Sequence, residues 1–148
     1  MKVAVIGGGP AGLYTAILLK RANSAHQVTV YERNRAGDTF GWGVVFSDQT
    51  LENFRLADEP TYHEITTQFA HWDNIDVVVH GRRITSGGHG FSGIARKTLL
   101  QILQRRAAEV GVELRFECDV PDDAALGTMD VVVAADGVHS VVRKKYAE

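Results

Sequence analysis

Gly7-x-Gly9-x-x-Gly12 is followed twenty residues later by Glu32. Those residue types at that spacing suit one chemistry, the holding of a nucleotide diphosphate and its ribose. Gly7 permits a sharp turn, Gly9 lets a diphosphate approach the backbone, and Gly12 lets a helix pack closely on a strand. The helix N-terminus adds free N–H groups and the positive end of a dipole. A carboxylate at Glu32 accepts hydrogen bonds from the two ribose hydroxyls and would repel a 2′-phosphate. Pro10 and Ala11 inside the loop, and Arg33 beside Glu32, are further candidates for the same ligand. The plainer alternative is a Gly-rich turn with a surface glutamate. The apolar run before the loop and the helical pattern after it favour the nucleotide.

Asp136-Gly137, with Ser140 and Arg143, forms a second constellation after another apolar run. Ligands of α/β sheets gather at the carboxyl ends of strands, so Asp136 can accept from a sugar or ribityl hydroxyl while Gly137 lets backbone come close. By composition it is equally a Gly turn before a basic helix. A third segment, GDTFGWGVVFSD at 37–48, sets aromatics among glycines, which suits a planar ligand on mobile backbone. The rival reading anchors Phe40 and Trp42 into the core. A fourth, SGGHGFSGIAR at 86–96, feeds a helix at Arg96, whose guanidinium can pair with phosphate or remain a solvated charge. The six histidines lack metal-ligand spacing and one cysteine, Cys118, adds no zinc signal, so no metal site is expected. Neither a Ser-His-Asp order nor a nucleophile elbow is visible, and no catalytic residue is assigned.

The elements around these residues read as an α/β domain with a Rossmann-like strand–helix–strand start. Val3 to Ile6 is a continuously apolar run ended by glycines, as in a buried parallel strand. Ala11 to Ala22 is rich in helix formers, and Gln27 to Glu32 alternates with β-branched residues. Ser47 suits the cap of a short helix through about Phe54. From Tyr62 to Phe91 there is little helical period. Ile75 to Val79 and Arg83 to Thr85 read as strands joined through His80-Gly81-Arg82. A helix is expected from Arg96, with Leu99, Leu103, Ala107 and Val110 on one face and Gly111 as its stop. Glu113 to Cys118 alternates as a half-exposed strand, with Cys118 on its apolar side, and Val131 to Ala135 is again continuously apolar. Val3–Ile6 and Val131–Ala135 are expected in one sheet.

The chain has 148 residues, a hydrophobic fraction of 45% and a formal net charge of −2. That composition suits one globular domain and supplies no bulk basic field for nucleic acid or an anionic membrane. No apolar run approaches the roughly 20 residues of a membrane span. A single cysteine forms no internal disulfide, and a reducing cytoplasm is the compartment that fits.

GGGPAG followed by Glu32, the helix start at Arg96, and ADGVHSVVR at 135–143 occur in this order along the chain. In this the chain resembles the single-component FAD-dependent aromatic hydroxylases related to para-hydroxybenzoate hydroxylase. GWGVVFSDQTLENF and SGGHGFSGIARKTLL are most similar to hydroxylases of aromatic CoA thioesters, of the salicylyl-CoA 5-hydroxylase and 2-aminobenzoyl-CoA monooxygenase type. The resemblance implies FAD as cofactor, NADH or NADPH and dioxygen as co-substrates, and a small aromatic substrate such as a CoA thioester. It places Gly7, Gly9 and Gly12 on the FAD diphosphate, Glu32 on the adenosine ribose, Arg96 along the diphosphate or ribityl chain, and Asp136 with Gly137 in a second fingerprint. The family's Gly-Asp segment for the ribityl chain lies outside these residues, so the resemblance implies an N-terminal portion. Residues 1–148 are then an FAD-binding domain, with 56–94 a partial β insertion on the substrate side. Self-association into a homo-oligomer is left open. Two readings from other classes also stay open: an NAD-dependent oxidoreductase domain and a non-catalytic nucleotide-binding module. Against the first stands the stretch of roughly sixty residues between Glu32 and the next long helix, where a plain NAD domain would continue its βα alternation.

Overall fold

Strands β1 (Lys2–Ile6) and β2 (Gln27–Tyr31) are buried along all but their first residue, as continuous apolar runs demand. Helix α1 (Pro10–Ala22) joins them and buries Gly12, Leu13, Ala16 and Ile17. In a computed structural model that describes residues 1–120 and 126–147, the chain forms two compact units, Met1–Thr39 with Leu99–Glu148, and Phe40–Thr98. The first is built on a four-stranded parallel sheet of order β8-β2-β1-β9, where β8 is Glu113–Arg115 and β9 is Val131–Ala134. Val3 pairs with Val28 on one side and with Val131 on the other, so the two apolar runs share a sheet as expected. The chain therefore leaves β1 in one direction for β2 and returns on the opposite side as β9, which makes β1 the point where strand order reverses.

The alternation from Glu113 survives as half-buried Leu114, Phe116 and Cys118. The regular strand nevertheless ends at Arg115, because Glu117 takes a positive φ of 53°. Pairing resumes beyond it, where the Cys118 N–H donates to the Glu32 carbonyl at 2.9 Å. Cys118, Val120, Met129, Val132 and Val142 pack on a buried cluster of Ala4, Ile6, Tyr31 and Leu126. Strand β9 is the edge of the sheet and is less covered than an uninterrupted apolar run suggests, with Val131 41% exposed.

Helix α4 (Arg96–Glu109) begins and stops where the sequence places it. Its buried face holds Leu99, Leu103 and Ala107, widened by Leu100 and Ile102. After it, the Val112 N–H returns to the Ala107 carbonyl at 2.9 Å, a backbone closure of the helix end. The short helix α5 (Val141–Tyr146) is capped by Ser140, whose Oγ accepts from the Arg143 N–H at 2.9 Å.

The second unit holds an antiparallel sheet of order β3-β7-β4, from β3 (Gly43–Phe46), β7 (Phe91–Ala95) and β4 (Ala70–Trp72). None of the three is singled out as a strand by the sequence pattern. Gly93 sits in the middle of β7 and blurs its strand pattern. Its missing side chain is replaced by Trp72, whose ring atoms would lie 3.0 Å from a β-carbon there. Helix α2 (Asp48–Ala57) is capped by Ser47 as expected and runs about a turn further. It is followed by α3 (Glu59–Thr66), which the sequence conceals because Thr61 and Ile65, one turn apart, are its only buried side chains among the described residues. Hairpin β5 (Ile75–Val79) and β6 (Arg82–Ser86) turns on two residues, His80 and Gly81, with φ of 48° and 74°. Two positive φ values are the signature of the tight turn that matches strand twist, so Arg82 belongs to the strand.

Candidate dinucleotide site

Three strand ends meet in the first unit. Ile6 lies beside Tyr31 and beside Ala134, so the next residues, Gly7, Glu32 and Ala135, stand side by side at the carboxyl edge. The Gly7 N–H donates to the Tyr31 carbonyl and the Ala135 N–H to the Ile6 carbonyl, each at 2.8 Å. Gly7 has φ of +105°, and a β-carbon on it would lie 2.4 Å from the Ala135 carbonyl oxygen. It is glycine for two reasons, a turn that other residues resist and contact with the β9 turn.

The remaining glycines of the loop divide the work. A β-carbon on Gly12 would fall 1.9 Å from the Gly7 carbonyl oxygen and 3.2 Å from Val5 Cγ1, so helix and strand touch through it. At Gly9 nothing lies within 4 Å. Gly9 is also the N-cap of α1, Pro10 occupies its first turn, and neither a capping side chain nor an acidic first-turn residue satisfies the helix start. Open space before uncapped N–H groups is where an anion is stabilised. Gly8 is a residue that sequence reasoning missed. It is buried, and a β-carbon there would lie 2.8 Å from Glu32 Cβ. The signal was the run of three glycines, one more than the motif needs.

Glu32 follows β2 directly. Its Oε2 accepts from the Gly8 N–H at 2.7 Å, and its Oε1 accepts from the Asn34 N–H at 2.8 Å and from Asn34 Nδ2 at 2.7 Å. Arg33 is exposed beside it, and Pro10 and Ala11 open α1. Asp136 stands across the loop: a β-carbon on Gly7 would lie 3.0 Å from its backbone nitrogen. Its Oδ2 accepts from the Val141 N–H at 2.9 Å, while its Oδ1 is buried with no hydrogen-bond partner. Burial raises the Asp136 carboxyl, but the Ser140 hydroxyl and the N–H groups of Asp136, Val141 and Val142 outweigh it, and the net shift is downward. An ionised carboxylate with one orphaned buried oxygen is an acceptor waiting for a hydroxyl. Beside Gly137 the space is open.

Glycine loop, Glu32 and Asp136-Gly137 are thus brought together, and their donors and acceptors fit a diphosphate flanked by sugar hydroxyls. Arg96 lies in the other unit, where its N–H donates to the Trp42 carbonyl at 3.1 Å and its Cδ comes within 3.8 Å of a β-carbon on Gly41. Two segments singled out separately in the sequence, the 37–48 loop and the Arg96 helix start, are therefore in contact. Arg96 Nε is buried without a partner. Phe40 and Trp42 are 73% and 97% exposed, which overturns the reading that anchors them in a core.

A cavity of about 510 Å³ reaches from the opposite ends of these strands, lined by Lys2, Lys20, His26, Glu113 and Arg115 among others. Two of its cations are engaged within the fold. Lys20 Nζ donates to the Ser24 and His26 carbonyls, and Arg115 pairs with Glu113 at 2.8 Å. Among the described residues no three His, Cys, Asp or Glu side chains are placed to hold a metal ion, and no helix is long and apolar enough to cross a membrane.

Residues 1–142 match the family model described as pyridine nucleotide-disulphide oxidoreductase. The chain is 49% identical over 148 residues to a salicyloyl-CoA 5-hydroxylase of Streptomyces sp, covering 100% of this chain and 29% of that protein. It is 40% identical over 147 residues to the 3-hydroxy-4-methyl-anthranilyl-(aryl-carrier protein) 5-monooxygenase of Streptosporangium sibiricum, covering 99% and 41% respectively. The structure of a 2-methyl-3-hydroxypyridine-5-carboxylic acid oxygenase superposes with a TM-score of 0.67 at 22% identity, over 78% of this chain and 31% of that one, a likeness of fold. The chain thus spans less than half the length of the curated relatives it matches. Their names agree with the resemblance to aromatic hydroxylases carried by the motifs.

Proposed function

The chain belongs to the pyridine nucleotide-disulphide oxidoreductase family, and from that premise we propose that it is the FAD-binding part of a flavin monooxygenase that hydroxylates an aromatic substrate. The observation that carries this reading is the meeting of the Gly7–Gly12 loop, Glu32 and Asp136 at the carboxyl ends of β1, β2 and β9. The two relatives act, by their names, on an aryl-CoA and on an aryl group held by a carrier protein, which favours an aryl thioester as substrate.

In this reading the N–H groups of Ala11 and Gly12 at the start of α1 face the diphosphate, with Gly9 leaving room and Pro10 fixing the first turn. Glu32 takes the adenosine ribose, and Arg33 lies at the rim of that subsite. Asp136 offers its orphaned Oδ1 to a ribityl or sugar hydroxyl, with Gly137 giving clearance. Arg96 is proposed for the diphosphate or ribityl chain on the motif resemblance alone, and the aromatics of the 37–48 segment for a planar ligand. Bound FAD would supply the redox chemistry by which electrons from NADH or NADPH activate dioxygen. The chain's own residues contribute orientation and a dry surrounding, which coupled hydroxylation requires. Residues 56–94 then serve the substrate side, and a reducing cytoplasm suits the free, half-buried thiol of Cys118.

The test is a visible spectrum of the purified protein reconstituted with FAD, followed by incubation with NAD(P)H and a panel of aryl-CoA thioesters. Flavin bands on reconstitution are expected, with any NAD(P)H oxidation ending in hydrogen peroxide and not in hydroxylated product. A colourless protein that tightens on NAD instead would replace this reading with an NAD-dependent oxidoreductase.

A further inference from the structure

We infer that Asn34 is a positioning residue of the ribose subsite: it saturates Glu32 Oε1 and leaves Oε2 to take a single ribose hydroxyl. The inference rests on the dinucleotide reading of the loop and deepens it.

A carboxylate has about four lone-pair sites, two on each oxygen. Asn34 fills both on Oε1, one with its backbone N–H at 2.8 Å and one with Nδ2 at 2.7 Å. The Gly8 N–H fills one on Oε2 at 2.7 Å. One acceptor site is left, on the oxygen that faces the glycine loop.

The frame around this carboxylate is fixed from several sides. The Glu32 carbonyl accepts from the Cys118 N–H at 2.9 Å, and the Asn34 carbonyl accepts from the Glu117 N–H at 3.1 Å. Both residues are therefore pinned by the 117–118 segment, and Gly8 backs against Glu32 Cβ, where any side chain would collide. Rotation of the carboxylate would break bonds to Asn34 and Gly8 together. Sequence reading expects Glu32 to grip both ribose hydroxyls, whereas the geometry leaves it one. The Asn34 side chain makes that choice, because its Nδ2 takes the second site on Oε1.

The experiment measures binding of ADP, 2′-deoxy-ADP and 3′-deoxy-ADP to the full chain by titration calorimetry, with FAD as the parent ligand. The wild type should lose about tenfold or more in affinity for one deoxy analogue and change little for the other, as one hydrogen bond to a charged group requires. Asn34→Ala should weaken ADP and cut the ratio between the two analogues at least threefold. Adding Asn34→Ala to Glu32→Gln should change nothing further, since it acts through Glu32. Asn34→Ser, which retains a short donor, serves if the alanine variant does not fold, and should lie between wild type and alanine. Equal losses for both analogues in the wild type would mean a two-hydroxyl grip and overturn the inference. So would an Asn34 variant that weakens all three nucleotides alike, the mark of a merely structural role, or one that leaves every affinity unchanged. A wild type that binds neither ADP nor FAD would overturn the dinucleotide reading itself.

Discussion

Gly12 lies against Gly7 so closely that a β-carbon on Gly12 would sit 1.9 Å from the Gly7 carbonyl oxygen. The contact is backbone to backbone, and no side chain can swing away to relieve it. Gly12→Ala should therefore destabilise the fold by about 1–3 kcal/mol or more, the usual cost of overpacking a rigid site. Urea denaturation checks this, and an unchanged midpoint would mean that the loop relaxes freely.

Glu32→Gln keeps the shape of the side chain and removes its charge. An amide also turns an NH2 group toward either Gly8 or Asn34, both of which donate to Glu32. The variant should lose about 1–3 kcal/mol of FAD affinity as charge-assisted bonds weaken. Undiminished affinity in a fluorescence titration would remove Glu32 from the site.

Asp136 carries a pH dependence whose sign follows from its depressed carboxyl. A carboxyl held lower in the folded than in the unfolded chain binds fewer protons when folded. Its contribution is complete above the unfolded value of about 4 and is lost as pH falls through the folded value. Thermal melts from pH 6 downward should show an acid decline that is shallower in Asp136→Asn. Parallel declines in the two proteins would contradict the hydrogen bonding described for this turn.

Trp42 at 97% exposure packs on nothing that would hold it in the fold. Trp42→Ala should leave stability within about 0.5 kcal/mol of wild type, as at other exposed positions. If the loop lies on a planar ligand, the same variant weakens binding of FAD or of the aryl thioester. A large loss of stability would return the ring to a structural role.

The parallel half of the fold was legible because its signals are local and agree with each other. Val3–Ile6 is an apolar run ended by glycines, Val131–Ala135 is one ended by Asp136-Gly137, and α1 and α4 carry strong formers and clear stops. The antiparallel half was not, because β3 and β7 hold glycines that Ile94 and Trp72 crowd from across the sheet, a tertiary fact with no trace in a strand pattern. At the site, the meeting of Gly7, Gly12 and Glu32 was legible from their spacing, and that of Asp136 from its place after an apolar run. Gly8 and Asn34 were not, since their importance lies in two hydrogen-bonded approaches to one carboxylate.

Gly9 offers the most direct test, because the fold does not need it to be small: nothing lies within 4 Å of a β-carbon there, and its φ of −74° suits any residue. The measurement is a titration of FAD fluorescence against wild type and Gly9→Ala, with melting temperatures taken in parallel. A saturable one-to-one FAD complex is expected for wild type. For Gly9→Ala the expected result is an affinity about tenfold weaker or more, with stability changed by less than about 1 kcal/mol. Equal FAD affinity in the two proteins, or no saturable binding in either, would contradict the placing of a diphosphate on this loop.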